Sequence, residues 1–458
     1  MDWTPTLNDR TGPVYLAIAD ALDADIASGR LRRGQQLPTH RALAKALGVD
    51  LTTVTRAYTE ARERGLTEAR VGQGTFVAES RASAHHPGAP RIQFDLSMNL
   101  PPQPLEADLE GRIARGIAAL KKENGFSAYL NYREMGGSEA ERDAAAAWLR
   151  ARIPGADAER LLICPGTQTA ILALLMALTA PGDVVLTEAL TYPGLKVAAS
   201  YMGVRPIGVA MDADGILPDA LERACIRHAP KALYLVPTIH NPTTATLPLE
   251  RRRAIAAIAD KHGLHLLEDD AYGALDAGAA PLAALAPERT FHMASLSKCI
   301  APGLRVSLLL APSRAQAAAM GNALRAAAQM PVSLMVALAA RWLGDGSADA
   351  IVDAIRDEAA ARQKLAARAL AGHAFAAHPN GHHIWVPLPH GWGRAEFASH
   401  VQRQGLAVVT SEAFSVEETP PHAVRVALGA AASRAELSRA LELLATALHS
   451  SPAAARII

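Results

Sequence analysis

The sequence predicts an α/β chain. It should have a mostly parallel sheet covered by helices on both faces, a smaller C-terminal subdomain, and a small helix-turn-helix unit with a β-hairpin wing in front. Two observations predict this. From Phe94 onward, short apolar runs of β type (residues 161–164, 184–187, 232–236, 264–268, 290–293 and 306–310) alternate with longer helical stretches, the pattern of parallel strands buried on both faces. Before residue 80, three helical patterns follow one another closely and end in a glycine-punctuated hairpin.

The first helix is marked by Val14, Ile18, Ala21, Leu22 and Ile26 at helical spacing, with Gly29 as a stop. A second spans about 39–47, residues 48–50 turn, and a third covers 51–64 with Val54, Tyr58 and Ala61 on its apolar face. Residues 66–77 should form the wing, with Gly72 and Gly74 at its tip, where glycine permits positive φ and close approach to a phosphate. In this layout Thr52, Thr53 and Arg56 face the major groove of double-stranded DNA, and Arg41 grips the backbone. Pro, Gly, Ser and His crowd residues 80–90, which sets the expected divisions at 1–79, a linker 80–93, and 94–450. His85 and His86 in that linker lack a cysteine or acidic residue at ligand spacing, so no metal site is expected.

Composition narrows the class. With 458 residues, 50% hydrophobic, the chain can bury a large core. Its 46 Lys and Arg nearly cancel 45 Asp and Glu, so any DNA affinity must come from local clusters. Cys164, Cys225 and Cys299 are too few for a disulfide framework, which points to a reducing, cytoplasmic setting. The start lacks a basic stretch followed by an apolar one, and apolar runs such as 170–180 are too short to span a bilayer, so no membrane association is expected.

Unusual polar residues sit just past the expected strands, where α/β sheets bind ligands. Gly166, Thr167 and Gln168 open a helix whose N-terminus suits an anion. Asn241, Asp269 with Tyr272, and Ser295, Ser297 and Lys298 follow later strands. Taken singly, Lys298 reads as a solvated charge, Asp269 as a cap and Asn241–Pro242 as a turn. Together and in this order they fit pyridoxal 5′-phosphate. Lys298 forms a Schiff base with the aldehyde, Asp269 keeps the pyridine nitrogen protonated, and Asn241 and Tyr272 bond the phenolate oxygen. Ser295, Ser297 and Arg305 neutralise the phosphate, and Tyr192 stacks on the ring.

Three resemblances follow from these motifs. Gly34-Gln-Gln-Leu-Pro-Thr-His-Arg, Thr53-Val-Thr-Arg-Ala-Tyr58 and Gly72-Gln-Gly-Thr-Phe-Val77 resemble the GntR-type winged helix, with Leu51 standing where many members carry a DNA-contacting arginine. Tyr132-Arg-Glu-Met-Gly-Gly137, Tyr192-Pro-Gly, Asn241-Pro-Thr, Asp269-Asp-Ala-Tyr, Ser295-Leu-Ser-Lys298 with Pro302-Gly-Leu-Arg305, and Arg425-Val-Ala-Leu resemble a class I/II aminotransferase, a fold-type I pyridoxal phosphate-dependent transferase. That resemblance implies a homodimer in which Tyr132 reaches the partner's cofactor phosphate. It also implies that Arg425 clamps a substrate carboxylate and that Asn99 lines the substrate entrance. Thr244 replaces the usual glycine after Asn-Pro-Thr. Joined in this order, the two parts resemble the MocR subfamily of bacterial transcription regulators. Their implied signal is the cofactor, alone or with an amino-acid-like effector, although the linker is short for that subfamily. The rival expectation is a working aminotransferase with an appended DNA-binding domain, since Lys298, Asp269 and Arg425 are all present. A third is a sensor of the cofactor alone, against which Arg425 argues.

Overall fold

The computed structural model describes residues 3–5, 13–32, 34–63, 66–70, 74–77, 92–276 and 278–451. The chain forms two compact units, 1–91 and 92–458.

In the first unit, helices Val14–Ala27, His40–Leu47 and Leu51–Glu63 precede an antiparallel pair, Thr67–Arg70 with Gly74–Val77. The turn between the second and third helices is written into the caps. Thr39 Oγ1 accepts the Ala42 amide at 3.3 Å, and Gly48 closes the second helix in the left-handed region at φ +63°. Asp50 Oδ1 then accepts the Thr52 amide and hydroxyl at 2.8 and 2.7 Å, starting the third. Ile18, Leu22, Leu43, Val54 and Ala61 fill the core between the helices. Helix edges fall within about a residue of the sequence expectation, except that residue 64 lies outside the described residues.

The second unit is organised by a seven-stranded sheet in the order Leu161–Cys164, Ser307–Leu310, Thr290–Ser295, His265–Asp269, Ala232–Leu235, Val184–Glu188, Arg205–Val209. All pairings are parallel except those of Ser307–Leu310, which runs antiparallel to both neighbours. Alternate strand residues enter different cores: Leu233 and Leu235 pack with helices Pro218–His228 and Leu249–His262, while Tyr234 packs with Thr167–Leu178. Both sheet faces are therefore covered, and the side chains free to do chemistry are those past the strand ends. A smaller antiparallel sheet (Ala376–Ala377, His383–Pro387, Ala423–Ala427, Val409–Thr410) shares a core with the closing helix Arg434–His449. Among the described residues no helix is long and apolar enough to cross a membrane, and no cluster of three His, Cys, Asp or Glu side chains is placed to hold a metal.

Candidate functional site

A cavity of about 450 Å³ opens past the ends of strands Ala232–Leu235, His265–Asp269 and Thr290–Ser295. Asp269 is the last residue of its strand, which runs one position past the expected end at residue 268, and it is buried. Its Oδ2 accepts the Tyr234 hydroxyl at 2.6 Å, while Oδ1 is buried without a partner. Burial pushes this carboxyl up to about 6, against the Tyr234 hydrogen bond that lowers it. An unpartnered acid oxygen on the cavity wall is what a protonated ring nitrogen would use.

Lys298 lies on the short helical turn Leu296–Cys299, with Nζ donating to the Asn99 carbonyl at 2.5 Å. Burial, then the positive charge of Arg425, draws its amine down to about 8. Lys298 is thus far closer to the neutral, nucleophilic form at neutral pH than an exposed lysine.

The other end of the cavity suits an anion. Thr167 begins the helix Thr167–Leu178, and its Oγ1 is buried without a partner. Gly166 precedes it at φ +90°, and a Cβ there would lie 2.5 Å from Arg305 Nη2, so only glycine leaves the arginine its place. Gln168 donates to the Gly194 carbonyl at 2.9 Å, and Ser295 Oγ caps the turn at the Ser297 amide at 3.2 Å. Tyr192 and Arg305 complete this part of the wall.

Behind the remaining wall, where Asn99 and Tyr272 line the cavity, runs a hydrogen-bond relay. His383 Nε2 approaches the His240 carbonyl at 3.1 Å, so that nitrogen carries the proton and Nδ1 is an acceptor. Asn99 Nδ2 lies 3.0 Å from His383 Nδ1 and 2.7 Å from the Tyr272 oxygen, giving one hydrogen to each. The Tyr272 proton is thereby free to be donated elsewhere in the cavity. Burial holds His383 well below the usual imidazole range, which keeps the relay neutral. Asn99 is only 6% exposed and belongs to this relay. It lines the cavity, and the Asn99 and Ser97 carbonyls accept from Lys298 and Arg425.

Arg425 Nη1 donates to Asn241 Oδ1 at 2.9 Å, and Nη2 bonds the Ser97 carbonyl. Its guanidinium lies 5.0 Å from the Phe414 ring centroid, and Nε is buried without a partner. Burial lowers it to about 10. Asn241 therefore meets Arg425, an arrangement its expected phenolate contact did not include. Thr244 adopts φ +65°, the left-handed region that a glycine would enter without cost. Tyr132 is 84% exposed and does not line the cavity of its own chain. Tyr234, His383, Ser97 and Phe414 were not anticipated, because each reads locally as ordinary strand or loop.

Of the residues expected to face DNA, Arg41 and Thr52 are exposed and Thr53 is half-buried. The Arg56 guanidinium lies over the Tyr15 ring at 4.2 Å, which holds it along the first helix. The Thr52 hydroxyl is spent on Asp50. Gly74 has φ +111°, while Gly72 and linker residues 80–91 lie outside the described residues.

Residues 91–444 match the aminotransferase class I and II family, and residues 14–77 match the bacterial regulatory proteins of the gntR family. The chain is 32% identical over 453 residues to the uncharacterized HTH-type transcriptional regulator YdeF of Bacillus subtilis, spanning 97% of this chain and 96% of that one. It is 30% identical over 418 residues to the vitamin B6 salvage pathway transcriptional repressor PtsJ of Salmonella typhimurium, spanning 90% and 93%. Among solved structures it is similar to LysN, the α-aminoadipate aminotransferase of Thermus thermophilus complexed with N-(5′-phosphopyridoxyl)-L-leucine. There the TM-score is 0.71, identity 26%, and coverage 78% of this chain and 95% of that one. With a GntR-type domain joined to a fold-type I aminotransferase domain, and relatives of the same build along nearly the whole length, the chain belongs to the MocR subfamily of HTH-type transcriptional regulators.

Proposed function

We propose that this regulator holds pyridoxal phosphate through Lys298 and changes its grip on DNA when an amino-acid-like effector enters the cofactor cavity. When bound, the cofactor supplies an electrophilic carbon for a primary amine and a ring that withdraws electrons. The chain's own residues supply the rest. Asp269 would hold a proton on the ring nitrogen, Tyr272 would donate a hydrogen bond to the ring oxygen, and Thr167, Ser295, Ser297 and Arg305 would bind the phosphate. The observation that carries effector sensing is Arg425. Its guanidinium is buried on the cavity wall with Nε unpartnered, and a group so placed fits a carboxylate. The leucine adduct in LysN supports an amino-acid ligand of the same kind. Exposed Tyr132 supports a homodimer in which it completes the partner's cavity, and three buried, unpaired cysteines support a cytoplasmic setting.

A working aminotransferase is the second reading, favoured by Lys298, Asp269 and Arg425 lying together on one cavity. The test is the visible spectrum of the holo-protein titrated with amino acids, with and without a 2-oxo acid acceptor. A spectrum that shifts and then stalls supports the regulator. Repeated turnover of the 2-oxo acid would replace it with the enzyme.

A further inference from the structure

We propose a second small-molecule site that takes an organic ammonium compound with an apolar body, in a separate cavity behind the wall made by Asp270 and Ser295. This cavity, of about 500 Å³, lies between helices Glu139–Leu149, Ser333–Gly344 and Ser347–Ala369 and the sheet. Its size is that of an ordinary ligand pocket. Ser295 borders both this cavity and the cofactor cavity.

The chemistry of its lining selects the ligand. Asp270 is 3% exposed; the Arg152 guanidinium takes its Oδ2, and Oδ1 is buried with no partner. Leaving a buried carboxylate oxygen unpaired is costly, and a donor entering the cavity removes that cost. The arginine at the rim is already engaged: Arg356 donates to the Leu275 and Ala274 carbonyls at 3.1 and 2.9 Å and to Asp353 at 2.7 Å. Asp349 on the same helix accepts the Trp148 indole N–H at 2.9 Å. Among the carboxylates and guanidiniums of the lining, three (Asp270 and the exposed Asp349 and Asp353) stand against two (Arg152, Arg356), and the imidazole of His292, also in the lining, is held by Glu268 at 2.8 Å. This preponderance of carboxylates favours a monocation over phosphate or a simple carboxylate. Leu149, Leu343, Val352 and the side of Trp148 supply an apolar wall for the rest of the molecule.

Occupancy would reach the cofactor through one peptide unit. The charge of Asp270 is one of the influences that raise the Asp269 carboxyl. A cation against Asp270 Oδ1 offsets that charge and favours the ionised Asp269, so the visible spectrum of the holo-protein should titrate at lower pH. This second site thus deepens the effector-sensing reading by giving amines without a carboxylate a place of their own.

The experiment uses calorimetry on the full-length holo-protein with N,N-dimethylphenethylamine, a protonated tertiary amine that cannot condense with an aldehyde. The expected result is saturable binding, with the neutral 2-phenylethanol binding about tenfold more weakly or worse, the scale of losing a charged hydrogen bond. Asp270→Asn should weaken the amine by a similar factor. Because that change also strips Arg152 of its partner and threatens folding, Ala147→Trp is the second variant. Ala147 is exposed at the cavity mouth, so the indole should block entry without disturbing the core. No saturable binding in the wild type, equal binding of the alcohol, or unchanged binding in Ala147→Trp would each overturn the proposal. Cofactor absorbance of the same samples reports separately on the cofactor cavity, so loss of that band marks failure of the effector reading and not of this site.

Discussion

Lys298 should attach its cofactor with a rate that stops rising near pH 8. An ordinary lysine titrates at 10.5, whereas burial and the facing charge of Arg425 bring this one to about 8. Only the neutral amine attacks an aldehyde. At pH 7 the neutral fraction is then about one in ten, against about one in three thousand for an unperturbed lysine, an advantage of about 300-fold. The assay is stopped-flow mixing of apo-protein with pyridoxal phosphate, following the visible band between about pH 6 and pH 10. Nα-acetyl-lysine serves as the reference that removes the cofactor's own titration. The ratio of the two rates should be constant below about pH 8 and fall about tenfold per pH unit above it, as only the reference amine goes on losing protons. In Arg425→Gln, which removes the largest charge acting on the amine, the break should move upward. A wild-type rate that climbs unbroken to pH 10, or a break that ignores Arg425, would show that burial and Arg425 do not set the state of this amine.

Three further outcomes follow from the same geometry. The Asp269 carboxyl titrates at about 6 when folded and near 3.8 when unfolded, so apo-protein stability should fall as pH rises from about 4 to about 6. The full cost at neutrality is about 3 kcal/mol. Asp269→Asn should therefore stabilise the apo-protein to urea at pH 7, and not at pH 4, while weakening cofactor retention; equal stability at both pH values would contradict this. Thr244→Gly relieves a β-branched residue at φ +65°, a strain of about 1–2 kcal/mol partly offset by glycine's unfolded-state entropy. Its melting temperature should rise, and a clear fall would show that Thr244 makes contacts worth more than the strain. Arg56→Ala should weaken DNA binding by about tenfold with the cofactor spectrum unchanged, as measured by fluorescence anisotropy; unchanged DNA affinity would remove Arg56 from the interface.

Much of the cavity was legible because strand-end residues in α/β sheets are local in sequence: Asp269, Ser295 and Lys298 each follow an apolar run directly. What was not legible depends on long-range pairing. His383 orients Asn99 from 284 positions away, and no spacing rule reaches that far. Tyr234 sits within a strand whose neighbours are all buried, so its hydroxyl looked like core until Asp269 was placed beside it. The antiparallel course of Ser307–Leu310 was equally hidden, since a strand buried on both faces carries the same apolar pattern in either direction. Edge strand Arg205–Val209, with its Pro and Gly, showed too little β-type pattern to be read.

The most direct test of the central claim is DNA affinity of the holo-protein with and without effector. Fluorescently labelled DNA selected by the holo-protein from a random pool would be titrated at fixed salt, in the presence of each amino acid that shifts the cofactor spectrum. Such an amino acid should change DNA affinity by about fivefold or more, and Lys298→Ala should abolish the change while still binding DNA. A spectrum that responds while DNA affinity stays the same would contradict it.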